Sequence, residues 1–183
     1  MQRILIALYA LWKYQTNRFS KKKTNDDTVA IVFNGIFGDA IVFFSAIQGY
    51  VDLYVKNGYK VILFCRPEVK KLWNDVVEFP REIALECVDF RKIINSYSYF
   101  RKIVAKYKEP IDILVSPGSS ISSDLLSTSL NAKRKVGLMP ILKMKSPLYL
   151  AAFQRIAYTE PIIPPKGLMM IQRHRYLDRK SVV

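Results

Sequence analysis

Val29-Ala30-Ile31-Val32-Phe33-Asn34-Gly35-Ile36-Phe37-Gly38-Asp39-Ala40-Ile41 decides the fold. Val29 to Phe33 form a continuous apolar run, as expected for a parallel strand buried on both faces. Asn34–Asp39 interrupts that run, and Ala40 to Val55 then reads as a helix. Phe43, Ala46, Ile47, Tyr50 and Tyr54 fall on one face of it, at spacings of three and four. Asn57-Gly58 closes the helix in the way a C-terminal glycine does.

The pattern then repeats. Val61 to Cys65 is a second buried strand, and Arg66-Pro67-Glu68 opens a helix through about Val77, proline being well tolerated in a first turn. Residues 86–107 hold a short strand or turn and a basic, aromatic helix near Tyr99–Tyr107. Ile111 to Val115 is a third clear strand, Pro117-Gly118-Ser119-Ser120 a loop, and Ser122 to Leu130 begins as a helix. Lys135 to Leu138 reads as a fourth strand. Strands alternating with helices predict an α/β domain over residues 28–160, a Rossmann-like parallel sheet flanked by helices. Pro161, Pro164 and Pro165 then break the chain, a basic helix follows from Met169 to Arg179, and no fresh strand pattern is visible.

The chain has 183 residues, half of them hydrophobic, so one domain with a real core fits and disorder as the main state does not. The net charge of +14 is unevenly placed. Residues 1–25 carry six basic residues and no acid, residues 26–124 are nearly neutral, and residues 125–183 hold eleven basic residues against two acids. Such basic ends fit a polyanion partner, be it membrane phospholipid, nucleic acid or a phosphate-bearing substrate; solvated surface lysines are the plain alternative. Cys65 and Cys87 form no C-x-x-C pair and lie in apolar stretches, which predicts buried free thiols in a reducing cytoplasm. With His174 the single histidine, a zinc site or a Ser-His-Asp triad has almost nothing to be built from. No metal is expected.

Ile4 to Trp12 is an apolar run too short to span a bilayer, which needs roughly 20 residues. No small-x-small cleavage site follows it. An interfacial helix, with Lys21–Lys23 on anionic lipid, is one reading and places the protein on the inner face of the cell membrane. A helix packed on the domain, or an unordered arm, is the other.

Ligands of open α/β sheets sit beyond the carboxyl ends of the strands. Three loops answer that description: Asn34–Asp39, Cys65–Glu68 and Ser116–Ser120. Gly35 and Gly38 let the backbone turn tightly and approach a ligand, leaving free N–H groups at a helix start. Asp39 is the only carboxylate of the first loop, a position that ordinary helix capping also explains. Asn34, Gly35, Gly38, Arg66, Gly118 and Ser119 are the candidate phosphate- or other ligand-binding positions.

The run Val29–Ile41 resembles the opening of glycosyltransferase family 9, the lipopolysaccharide heptosyltransferases: a strand, then G-x-x-G-D, then a helix. Cys65-Arg66-Pro67-Glu68 is similar to that family's second strand and turn. Asp112-Ile113-Leu114-Val115, Gly118, Ser123-Asp124-Leu125-Leu126 and Asn131 to Leu138 are similar to its D-x-x-(I/V)…G…LL…AKRRIGF stretch. The likeness covers roughly residues 28–140. It implies one half of a GT-B fold and inverting transfer of a sugar from a nucleotide-diphosphate donor to a lipid-linked or phosphorylated saccharide, as in cell-surface polysaccharide synthesis. The aspartate of G-x-x-G-D serves there as general base, a role that carries over to Asp39 alone. Two departures, Ser45 where proline is usual and Ile121 where a basic residue is usual, leave the acceptor open. The family's nucleotide-sugar site lies in a C-terminal domain, and the chain stops before one. The resemblance therefore implies that donor binding needs that domain or a partner chain, and that the chain alone is inactive.

Two rivals remain. One is a Rossmann-like module that holds an anionic ligand or partner chain without chemistry. The other is a nucleic-acid binder built on Lys133-Arg134-Lys135 and the 173–180 cluster; no recognised motif supports it, and the aromatics fall at core spacings.

Overall fold

The structure is a computed structural model that describes residues 1–18, 27–76, 78–118, 120–138 and 156–163. The predicted Met169–Arg179 helix, Lys21–Lys23, His174 and Ser119 lie outside the described residues.

Among the described residues, six parallel strands form one sheet in the order β3-β2-β1-β4-β5-β6. They are β1 (Thr28–Val32), β2 (Lys60–Cys65), β3 (Ile83–Cys87), β4 (Ile111–Ser116), β5 (Ala132–Leu138) and β6 (Glu160–Ile162). The helices are α1 (Gln2–Arg18), α2 (Phe37–Lys56), α3 (Pro67–Val76), α4 (Phe90–Asn95), α5 (Tyr97–Lys106) and α6 (Ile121–Ser129). Chain order runs outward one way from β1 to β3 and the other way from β4 to β6. This is the Rossmann-like arrangement, and its direction reverses between β1 and β4, where such sheets open a crevice.

The apolar runs are buried on both faces, as their continuity predicts. Val29, Ile31 and Phe33 face one core, shared with α2 and α3. Ala30 and Val32 face the other, shared with α1, α4, α5 and α6. In the first core the Phe33 and Phe43 rings stack at 4.4 Å, and Trp73 lies 5.4 Å from Phe33. The five residues predicted for the buried face of α2 are all buried. The helix closes at Gly58, whose φ of 83° suits glycine. There Tyr59 N–H donates to Tyr54 O and Gly58 N–H to Val55 O, the paired bonds of a Schellman turn.

Three expectations need correction. A sixth strand is present: β6 is three residues long, holds Pro161 and lies at the sheet edge, so neither length nor periodicity betrays it. It is pinned from the side, where Arg134 grips Glu160 with a two-pronged contact of 2.5 and 2.8 Å. Lys135 N–H also donates to Thr159 Oγ1. Cys65 is buried but Cys87 is exposed, because β3 is the opposite edge strand. Finally, Lys133-Arg134-Lys135 is no shared cationic patch, since strand alternation splits it. Lys133 pairs with Asp112 at 2.7 Å, Arg134 with Glu160, and Lys135 is buried with Nζ donating to Ser127 O and Thr128 O.

Candidate functional site

The loops after β1, β2 and β4 converge through one side chain. Asn34, just beyond β1, accepts at Oδ1 from Arg66 Nε at 3.0 Å. Its Nδ2 donates to Ser120 Oγ at 2.7 Å and Ser122 Oγ at 2.9 Å. The orientation follows from chemistry: a guanidinium only donates, so the amide oxygen faces it and the amide nitrogen meets the hydroxyls. Arg66 Nη1 also lies 3.8 Å from Glu68, whereas Nη2 has no partner among the described residues. The relay Arg66–Asn34–Ser120/Ser122 thus joins all three strand ends across the point where chain order reverses.

Asp39 sits in the first turn of α2. Its Oδ2 accepts from Ile36 N–H at 3.1 Å, and Oδ1 has no partner among the described residues. One carboxylate oxygen is held by the backbone and the other is free to accept a proton or hydrogen bond. Gly35 makes that placement possible: a Cβ there would lie 2.2 Å from Phe33 Cζ and 2.7 Å from Asp39 Cβ. Its role is close approach rather than an unusual φ, and Gly38 likewise lacks the positive φ of a tight glycine turn. Gly38 and Gly118 face open space, and a Cβ added at either would meet nothing within 4 Å. Ile36, Phe37 and Ile41 are exposed beside Asp39.

Of the predicted positions, Asn34 and Arg66 are brought into contact, and Gly35 packs on Asp39. Gly118 lends its carbonyl to Ser116 Oγ at 3.0 Å, while Ser119 lies outside the described residues. The contacts from this third loop come instead from Ser120 and Ser122, which the sequence pattern places only in a loop and at a helix start. The usable signal is the spacing of Ser120 and Ser123. Each accepts from the other's backbone N–H, at 3.2 and 2.9 Å, and this reciprocal cap fixes the start of α6.

Burial pushes the Cys65 thiol up to about 12, with Cys87 beside it adding to the effect, so the residue preceding Arg66 is an inert thiol. Among the described residues no three of His, Cys, Asp and Glu gather in a way that could hold a metal ion.

No family model and no curated protein matches the sequence. Solved structures do match. E. coli heptosyltransferase WaaC with ADP aligns at a TM-score of 0.62 and 16% identity, over 85% of this chain and 47% of that one. E. coli heptosyltransferase WaaC with ADP-2-deoxy-2-fluoro heptose aligns at 0.58 and 17%, over 85% and 48%. The chain spans about half the length of the solved chains it matches. At this identity the likeness establishes the fold alone, a Rossmann-like α/β domain that matches one half of a GT-B structure.

Proposed function

We propose that this chain is the acceptor-side half of a family 9-like inverting glycosyltransferase. The sugar, heptose-like, moves from a nucleotide-diphosphate donor to a lipid-linked or phosphorylated saccharide. The observation that carries the reading is the convergence of three strand-end loops on Asn34, with Asp39 offering a free carboxylate oxygen in the next turn. Asp39 takes the proton of the acceptor hydroxyl as that oxygen attacks the anomeric carbon and the nucleotide diphosphate departs with its electron pair. Arg66 is the cation for an acceptor phosphate, and the open space at Gly38 and Gly118 admits the acceptor close to the backbone. Donor binding falls to residues outside this half. The reaction needs no metal in this reading.

A second reading rests on the Asp39–Ile36 bond, which is what a structural helix cap looks like. It makes the chain a non-catalytic module that binds an anionic ligand. A transfer assay on the protein as its own cell makes it, with ADP-heptose and a phosphorylated saccharide, separates the two. The enzyme reading predicts acceptor-dependent release of ADP. Saturable acceptor binding with no release establishes the module instead.

A further inference from the structure

Over Ile4–Trp12, α1 is apolar on both of its sides. Ile6 and Ala10 are buried in the core shared with α4, α5 and α6, and Asn17 Nδ2 donates to Ser129 O at 3.0 Å. The helix is therefore seated on the domain, as one of its two predicted readings requires. Its outward side nevertheless carries Ile4, Leu5, Leu8, Leu11 and Trp12, exposed by 66, 40, 58, 40 and 55%. A helix resting on a domain in water turns a polar side outward, whereas a stretch that is apolar on both sides calls for a second apolar phase.

Charge identifies that phase. Between α1 and α5 lies a groove of about 580 Å³, lined by Leu8, Trp12 and Tyr97 together with Lys13, Arg101 and Lys108, and by no carboxylate. Neither helix contains an acid. Lys13 Nζ lies 5.2 Å from the centre of the Trp12 ring, so the cation and the amphipathic ring are presented together.

We propose that this face docks on an anionic lipid bilayer. Leu5, Leu8 and Trp12 enter the boundary between headgroups and acyl chains, while Lys13, Arg101 and Lys108 meet lipid phosphates. Tryptophan suits that depth, with an apolar body and one N–H for the headgroup zone. No helix among the described residues is long and apolar enough to cross a membrane, so the contact is made along the surface. A second copy is a poorer occupant, because a two-fold contact sets Lys13, Arg101 and Lys108 against themselves. Nucleic acid satisfies the cations but leaves the leucines in water. The proposal stands independently of the transferase reading.

The two tryptophans provide the test, since Trp73 is buried and Trp12 is exposed. Vesicles of phosphatidylcholine, with or without phosphatidylglycerol and with acyl-brominated lipid as quencher, are titrated into the protein. Docking predicts a blue shift and quenching of Trp12 only on phosphatidylglycerol vesicles. In Trp12→Phe that signal vanishes while co-sedimentation persists. The double variant Leu5→Ser/Leu8→Ser retains every charge and its fold by circular dichroism, and its partition falls roughly tenfold or more. Co-sedimentation without quenching of Trp12 overturns the proposal, since the attachment then lies in other basic segments. Failure to bind, Trp12 emission already blue without vesicles, or a doubled mass in solution overturns it as well.

Discussion

Two of the helices that start at the crevice, α2 and α6, solve the same problem in opposite ways. α6 is buried from Ser122 to Ser129, although five of those eight residues are Ser or Thr and one is Asp124. Its polar groups are largely consumed inside the fold. Thr128 Oγ1 donates to Asp124 O at 2.7 Å, Ser129 Oγ to Leu125 O at 2.9 Å, and Tyr158 OH to Asp124 Oδ1 at 2.7 Å. α2 buries one apolar face and leaves its start open, with exposed Ile36, Phe37 and Ile41 around a half-engaged Asp39. The lesson is that a carboxylate near a helix start is not functional by type. Asp124 is fully enclosed and bonded to Tyr158, whereas Asp39 keeps an oxygen for something else.

That contrast can be broken from the structural side first. Asp124→Ala leaves the Tyr158 hydroxyl buried without its acceptor and should cost about 3 kcal/mol in chemical denaturation. A cost near zero means α6 is not the enclosed polar element described. Next comes the close approach that holds Asp39. Gly35→Ala puts a methyl into Phe33 and Asp39, with an expected loss of about 2 kcal/mol. Gly38→Ala, facing open space, should change stability by less than about 1 kcal/mol while still weakening acceptor binding. Equal stability losses at the two glycines contradict the distinction between them.

A further test concerns pH. Lys135 sits against the α6 carbonyls of Ser127 and Thr128, and burial lowers its pKa from 10.5 to about 7. Above that value the unfolded chain holds a proton that the native chain has released, so stability rises with pH from about 7 toward 10.5. Below about 7 both states are protonated and the burial penalty is felt in full. Lys135→Met should flatten this rise in denaturation curves taken across the range. An unchanged slope means that Lys135 does not set this pH dependence.

These particulars show where the sequence is legible. Val29–Phe33 and Val61–Cys65 announce buried strands because every side chain is apolar, and α2 announces its face because Phe43 and Ile47 recur at helical spacing. The positions of Asn34 and Arg66 at the crevice follow from the strand ends. α6 is harder, because polarity is a proxy for exposure and fails when hydroxyls bond back to their own helix. Ser120 and Ser122 escape notice as site residues for the same reason. β6 is illegible because three residues around a proline carry no period, and its place depends on Arg134 meeting Glu160 across 26 positions. Asp39 can be placed in sequence but not interpreted, since a cap and a base occupy the same position.

The most direct test is therefore the rate of sugar transfer by the Asp39→Asn variant of the protein as its own cell makes it, beside the unaltered protein. Asparagine keeps a carbonyl oxygen for the Ile36 N–H but cannot take the acceptor's proton. The fold should be unchanged and the rate lowered by at least about a hundredfold. A variant that transfers sugar at the normal rate contradicts it, and leaves Asp39 as a helix cap alone.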